Sequence, residues 1–344
     1  MRTVKTIDFE THFATQEWID ATYANPGYPR FVDDKATGRR RMYYREDAFE
    51  PHGDVLLNRL LDLGPGRIAE MDKGGIDKAV VSLTSPGMDH FEPGVGTALA
   101  RGVNDELAAA IDKYPDRLMG FAALAPKDPQ AAAAELERCV KELGFRGWKT
   151  HSNFGDSYID ERRYWPILAK AEELGVVIYL HPVAPMIKEL RTYGLPLAGA
   201  AFGFGVETAT AMMRLILSGG FDAFPKLKIM LGHYGEGLPF LMQRIDHPFV
   251  RPHLKAADPE VVPDLKRIPS EYLHDNMLVT TSGNYLPAAF KCTREALGME
   301  KILLGTDYPY EEMTDSMAFL EGLGLSQEEK EQLYYRNAGE LGIS

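Results

Sequence analysis

Glu10 and His12 stand two positions apart at the end of the apolar run TIDFETHF, residues 6–13. Side chains at i and i+2 of a β-strand share a face, so a strand here projects a carboxylate and an imidazole together. A surface strand can carry such a pair without purpose; chemistry requires other strands to deliver matching groups to the same place. Three further runs do so: VVIYLH (176–181) ends in His181, KIMLGH (228–233) ends in His233, and KILLGT (301–306) leads directly into Asp307. Imidazole nitrogens and carboxylate oxygens suit Zn²⁺ or Mn²⁺. Five metal-competent side chains at the ends of four strands therefore point to a bound divalent ion.

The elements that must bring these residues together are legible as a rhythm. Short β-like runs begin at residues 4 (VKTIDF), 78 (KAVVSL), 118 (LMGFAAL), 146 (RGWKTH), 176, 228, 277 (MLVTTS) and 301. Between them lie amphipathic stretches such as RGVNDELAAAIDKYPDR and DPQAAAAELERCVKELG, with apolar residues three and four apart. The second opens on Asp-Pro and stops at Gly144, as helix boundaries do. Near-continuous apolar strands alternating with helices imply a parallel sheet covered on both faces. Eight of them predict a closed, distorted (β/α)8 barrel rather than an open doubly wound sheet, with the ligand groups at its C-terminal mouth. Long loops are expected after strand one (an insertion over residues 13–56) and strand five (182–210), both leaving from that face. LLNRLLDLGPGRIAEMDKGG reads as a helix after the first of them. No repeat or linker splits the chain, which reads as one domain over residues 1–344.

Composition bounds the partners. The 344 residues carry a formal net charge of −12, which argues against nucleic acid or an anionic membrane as the main partner. The two cysteines, Cys139 and Cys292, are too few for a disulfide framework. With no signal-like start and no uninterrupted apolar run of membrane length, the expected setting is the cytoplasm.

These motifs carry a resemblance. The stretches ETHF, RLLDLGPGRIAEMDKGGIDKAVVSLTSPG, YPDRLMGFAALAPKDP, LHPVAP, FGFGVET, GHYGEGLPF…RIDH, TTSGN and GTDYPYE span nearly the whole chain. Together they resemble the amidohydrolase superfamily, in its branch of metal-dependent, non-oxidative aromatic acid decarboxylases. That branch includes the γ-resorcylate, 2,3-dihydroxybenzoate and 5-carboxyvanillate enzymes. The resemblance implies one Zn²⁺ or Mn²⁺ held by Glu10, His12, His181 and Asp307. It implies that Asp307 protonates the ring, with His233 and Glu236 setting its state. Arg244 matches an arginine near the substrate carboxylate, and Arg59 a position that reaches a neighbouring subunit's pocket. A homodimer or homotetramer is expected on the same ground.

Other residues are read with two meanings each. Phe202 and Phe204 of FGFG either line a slot for an aromatic ring or belong to the core. His151 is either structural or a substrate contact, and Lys149 is a solvated lysine, a substrate contact or a bridge between two metals. The expected activity is loss of CO2 from a small hydroxylated aromatic acid. The alternatives are a metal-dependent hydrolase of a lactone, amide or carbon–carbon bond, with His233 as general base, and a non-catalytic binding barrel.

Overall fold

The computed structural model describes residues 4–258 and 260–343. Strand β1 (Ile7–Phe13) opens a barrel; β2 (Arg30–Asp34), β3 (Arg39–Arg45) and β4 (Ala48–Pro51) form a separate antiparallel sheet. The barrel continues with β5 (Lys78–Leu83), β6 (Leu118–Ala123), β7 (Gly147–His151), β8 (Val177–His181), β9 (Ile229–Leu231), β10 (Met277–Thr280) and β11 (Ile302–Leu303). Each strand pairs in parallel with the next. The ring is closed from β11 back to β1, with Phe9 N–H donating to Leu304 O at 2.8 Å and Asp307 N–H to Glu10 O at 2.8 Å. A parallel bridge between Thr11 and Tyr308 completes the seam. The predicted eight-stranded α/β barrel is therefore the observed one.

Two apolar layers hold it. Phe9, Val80, Phe121, Tyr179 and Met230 fill the interior, where Ala338 and Ile343 join them from the C-terminal segment. Outward residues such as Ala79, Val81, Ile178, Leu180 and Leu231 pack beneath the helical coat, together with fully buried Cys139 and Trp148. The helix Pro129–Lys141 begins as expected, with the Asp128 carboxylate accepting from Ala131 N–H.

Strand β1 departs from simple alternation. Asp8 lies opposite Ala79, yet Thr11 lies opposite Val81, so β1 has one residue more than its partner between these pairs. The extra residue is a β-bulge, which changes which side chains face inward. Before it Ile7 and Phe9 point into the barrel; after it His12 pairs with Ser82 on the inward side, while Phe13 turns out to the helical layer. Asp8 fastens the bulge. Its Oδ1 accepts from Glu10 N–H at 3.0 Å and Thr306 N–H at 3.1 Å, and its Oδ2 from the Thr306 hydroxyl at 2.5 Å.

Three local expectations are refined. The stretch 56–75 forms two helices, Asp54–Leu61 and Pro65–Gly74, because Pro65 has no N–H to continue the first and suits the opening of the second. The 13–56 connection is not a loop: it holds helix Gln16–Ala24 and the β2–β4 sheet. Among the described residues, Leu195–Leu217 is long and apolar enough to cross a membrane, although Glu207 and Arg214 interrupt it in sequence. It breaks between helices Leu195–Ala198 and Gly203–Leu217, and the latter buries Thr208, Ala211, Met212 and Leu215 in the barrel's coat.

Replacing Asp8 by Ala removes the acceptor for two buried amides and a hydroxyl. The expected cost is roughly 2–4 kcal/mol of folding stability, read as a lowered denaturation midpoint; a loss below about 0.5 kcal/mol would show that the bulge does not need it.

Candidate active site

Glu10, His12, His181 and Asp307, from three separate regions of sequence, converge at the barrel mouth with one ligand atom each inside a 4.8 Å span. Each is held by its own partners. The Glu10 carboxylate accepts from the hydroxyls of Tyr179, Thr280 and Ser282. His181 directs Nδ1 at Pro182 O (2.8 Å) and Ser85 Oγ (2.9 Å), which leaves Nε2 for a ligand role. His12 Nε2 lies 2.9 Å from Asp307 Oδ1, a normal separation for two atoms sharing one ion, which must sit about 3 Å apart. Its Nδ1 faces Lys149 Nζ at 3.1 Å.

The electrostatics match a cation site. Burial, and then the Lys149 charge, hold His12 and His181 well below the usual imidazole range, so both rings are neutral. Burial, and then the charge of Glu10, push Asp307 well above the usual carboxylate range. A divalent ion between the two carboxylates relieves that repulsion and makes a formally neutral group with two neutral imidazoles. The donor set, its convergence and its charge all fit a single such ion.

Beside this cluster, His233 Nδ1 lies 2.7 Å from Glu236 Oε1. Burial disfavours charge on the imidazole, but the Glu236 charge and hydrogen bond, with Glu10 and Asp307 beyond, outweigh it and raise the pKa to about 10. The backbone here is strained: His233, Tyr234, Glu236 and Asp307 have φ between 52° and 64°, a region non-glycine residues seldom occupy. The neighbouring segment leaves room for the ring. A Cβ on Gly283 would sit 2.7 Å from His233 Cδ2.

A cleft of about 650 Å³ opens over these groups, within the size range of small-molecule sites. Of the sequence-nominated residues, His181, His233, Glu236, Asp307, Phe202 and Phe204 line it. Phe202 is 54% exposed, while Phe204 is half-buried with its ring edge-on to Tyr44. His151 does not line it: it is buried behind His181, with Nδ1 2.6 Å from Asp89 Oδ2. The substrate-contact reading is thus corrected to a structural one within this chain. Lys149 is neither solvated nor in the cleft; it is buried, donates to Leu83 O at 2.8 Å, and burial lowers its pKa to about 7. Arg244 is exposed on helix Leu238–Ile245, and Arg59 pairs with Glu312 at 2.6 Å; neither lines this chain's cleft.

Sequence reasoning missed Tyr44, Glu50, Tyr310 and Asn284, which also line the cleft. The first two come from the β3–β4 hairpin, whose signal was present in RRRMYYREDAFEP: two β-rich runs about a polar Glu-Asp turn.

A closed parallel barrel with a histidine–carboxylate cation site at its C-terminal mouth defines a class of metal-site barrel enzymes. The amidohydrolase family model matches residues 7–341, and the chain belongs to that family. A γ-resorcylate decarboxylase of Polaromonas sp. strain JS666 is 35% identical over 97% of each chain. The structure of 5-carboxyvanillate decarboxylase from Sphingomonas paucimobilis superposes with TM-score 0.87 at 34% identity, covering 99% of this chain and all of that one. The corresponding enzyme of Novosphingobium aromaticivorans, complexed with manganese and 4-hydroxy-3-methoxy-5-nitrobenzoic acid, gives TM-score 0.84 at 34% identity over 98% and 96% of the two chains. These likenesses place the chain in the aromatic acid decarboxylase branch.

Glu236→Gln removes the main anion supporting imidazolium at His233. Below a pKa of about 10 the ring is cationic; without Glu236 the cation is less favoured, so titration moves to lower pH. In metal-free protein, NMR titration of the His233 ring is expected to show a midpoint lowered by at least about one unit. An unmoved midpoint would detach the two residues.

Proposed function

We propose that this cleft releases CO2 from a hydroxylated aromatic carboxylic acid by non-oxidative decarboxylation, using one divalent ion held by Glu10, His12, His181 and Asp307. The observation that supports this most strongly is the convergence of those four groups beneath an aromatic-lined cleft. The manganese in the Novosphingobium complex favours Mn²⁺, with Zn²⁺ suited to the same donors. The decarboxylase activity of the relatives weighs against the hydrolase reading.

Direct loss of CO2 would leave an aryl carbanion, which is too basic to form at neutral pH. A hydroxyl ortho or para to the carboxylate offers another course. A divalent ion held by Glu10, His12, His181 and Asp307 would supply the positive charge that lowers the pKa of that phenol and anchors the acid. Phe202 and Phe204 flank the ring, and protonated Asp307 delivers its proton to the carboxylate-bearing carbon, interrupting aromaticity. The carbon–carbon bond then breaks, its electron pair returns to the ring, and CO2 leaves. Burial and the Glu10 charge raise the Asp307 pKa in the ion-free site; a bound ion opposes this, so Asp307 takes up its proton on leaving the ion. His233, paired with Glu236, sets the charge facing it and helps return a proton to it.

The cleft itself has no arginine or lysine lining among the described residues. Arg244 and Arg59 are assigned to substrate binding across an interface between copies in a homodimer or homotetramer. Phe240 (80% exposed) and Leu241, beside Arg244 on the same helix, support such an interface.

Incubated with Mn²⁺ and hydroxybenzoates, the protein is expected to release CO2 and take one solvent proton into the ring. Asp307→Asn should lower turnover by at least about 1,000-fold while near-stoichiometric metal remains bound. Full activity in that variant would remove Asp307 from the mechanism, and no CO2 from any ortho-hydroxybenzoate would overturn the reading. Arg244→Ala should raise KM about tenfold with kcat little altered; an unchanged KM would leave Arg244 outside the binding machinery.

A further inference from the structure

The lining of the cleft is unusually acidic for one that takes an acid. Among the described residues it contains the carboxyl groups of Glu50, Glu236, Asp307 and Glu311, and no lysine or arginine. Three are already occupied: Asp307 belongs to the ion site, Glu236 pairs with His233, and Glu311 accepts from the Tyr285 hydroxyl at 3.3 Å. The fourth, Glu50, has one carboxylate oxygen held by a phenol of its own hairpin. It comes from β4, and its side chain is 15% exposed. Its Oε1 accepts from the hydroxyl of Tyr44 on β3; burial and the Glu50 charge keep that phenol protonated, so Tyr44 donates.

Among the described residues no lysine or arginine forms an ion pair with Glu50. His52 Nε2, 3.8 Å from Oε1, belongs to a fully buried ring whose pKa is pushed down by burial. Tyr310 sets the scale of the site. Its ring centroid is 5.8 Å from that of His12 and 6.5 Å from that of His52. The Tyr310 phenol feels the charges of both Glu50 and Asp307, and all three line the same cleft; among the described residues Glu50 Oε2 has no hydrogen-bond partner.

We propose that Glu50, fixed by Tyr44, determines substrate choice by accepting a hydrogen bond from a hydroxyl or amino group on the ring edge remote from the reacting carboxylate. The same group excludes a second carboxylate at that edge, because two uncompensated anions would meet in a partly dehydrated cleft. The preferred substrate class is therefore a phenolic monoacid with a remote donor rather than an aromatic diacid. This inference rests on the decarboxylase reading for its substrates, although binding tests it separately.

The experiment uses the Mn²⁺-loaded protein and matched acids: 2,4-dihydroxybenzoate against 2-hydroxyterephthalate, and 2,5-dihydroxybenzoate against 4-hydroxyisophthalate. Kd is measured by calorimetric titration, and kcat/KM by CO2 release. At one remote position at least, the hydroxyl compound is expected to bind 10- to 100-fold more tightly than its carboxyl counterpart. Glu50→Gln should shrink that ratio at least tenfold. Glu50→Asp, which keeps the charge, should retain most of it, an outcome that a merely structural role would not give. A wild-type preference for the diacids, or a ratio indifferent to Glu50→Gln, overturns the assignment even where CO2 is released. The expected ratio and its response without CO2 release would uphold Glu50 and refute the decarboxylase reading instead.

Discussion

The inserted residue in β1 is the constraint from which the site follows. Ile7 and Phe9 fill the barrel interior, so strict alternation would next send Thr11 and Phe13 inward and leave the ligand pair outside. The bulge shifts the phase, and the same strand that packs the core below supplies Glu10 and His12 above it. Asp8 makes the shift tolerable by accepting the amide of Glu10, and it ties the same spot to Thr306, one residue before Asp307. One buried carboxylate thus sets two ligand-bearing segments at once. Its burial raises its own pKa to about 7, a sign of how little solvent reaches the seam.

Strain is concentrated where the chemistry is assigned. Four non-glycine residues with left-handed φ lie beside the cleft, at a cost on the order of 1 kcal/mol each. The surrounding barrel holds them there. Asp307 N–H is pinned to Glu10 O, and Tyr234 N–H to Thr280 O at 2.9 Å. The resulting backbone turns the imidazole of His233 and the carboxylates of Glu236 and Asp307 towards one point, which regular strand or helix geometry would not do.

Much of this was legible in the sequence, and the gaps have identifiable causes. Eight apolar runs separated by helical periodicity carried the barrel, because a parallel strand buried on both faces cannot hide its composition. His181 and Asp307 could be assigned to the mouth since they directly end or follow such runs. The pairing of Glu10 with His12 was inferred from i, i+2 spacing, yet the bulge that makes it point inward leaves no mark in residue type. His151 misled for a related reason: its strand-end position resembles that of His181, but Asp89, some sixty residues earlier, draws it behind the site. Arg244 and Arg59 do not line the cleft of this chain; a motif match fixes a residue's place in sequence and not the direction of its side chain. The β2–β4 sheet was taken for a loop because its strands are short and rich in arginine, tyrosine and acid, lacking the clean apolar alternation of core strands.

Among the described residues that small sheet makes no hydrogen-bonded strand pairing with the barrel. The ion ligands and strained turns belong to the barrel scaffold, while Tyr44 and Glu50 belong to a hairpin laid over the mouth. One part of the cleft lining is thus carried by an element separate from the one that holds the ion ligands. Changes confined to residues 30–51 would therefore alter Tyr44 and Glu50 in the lining while the ion ligands and strained turns of the barrel stayed intact.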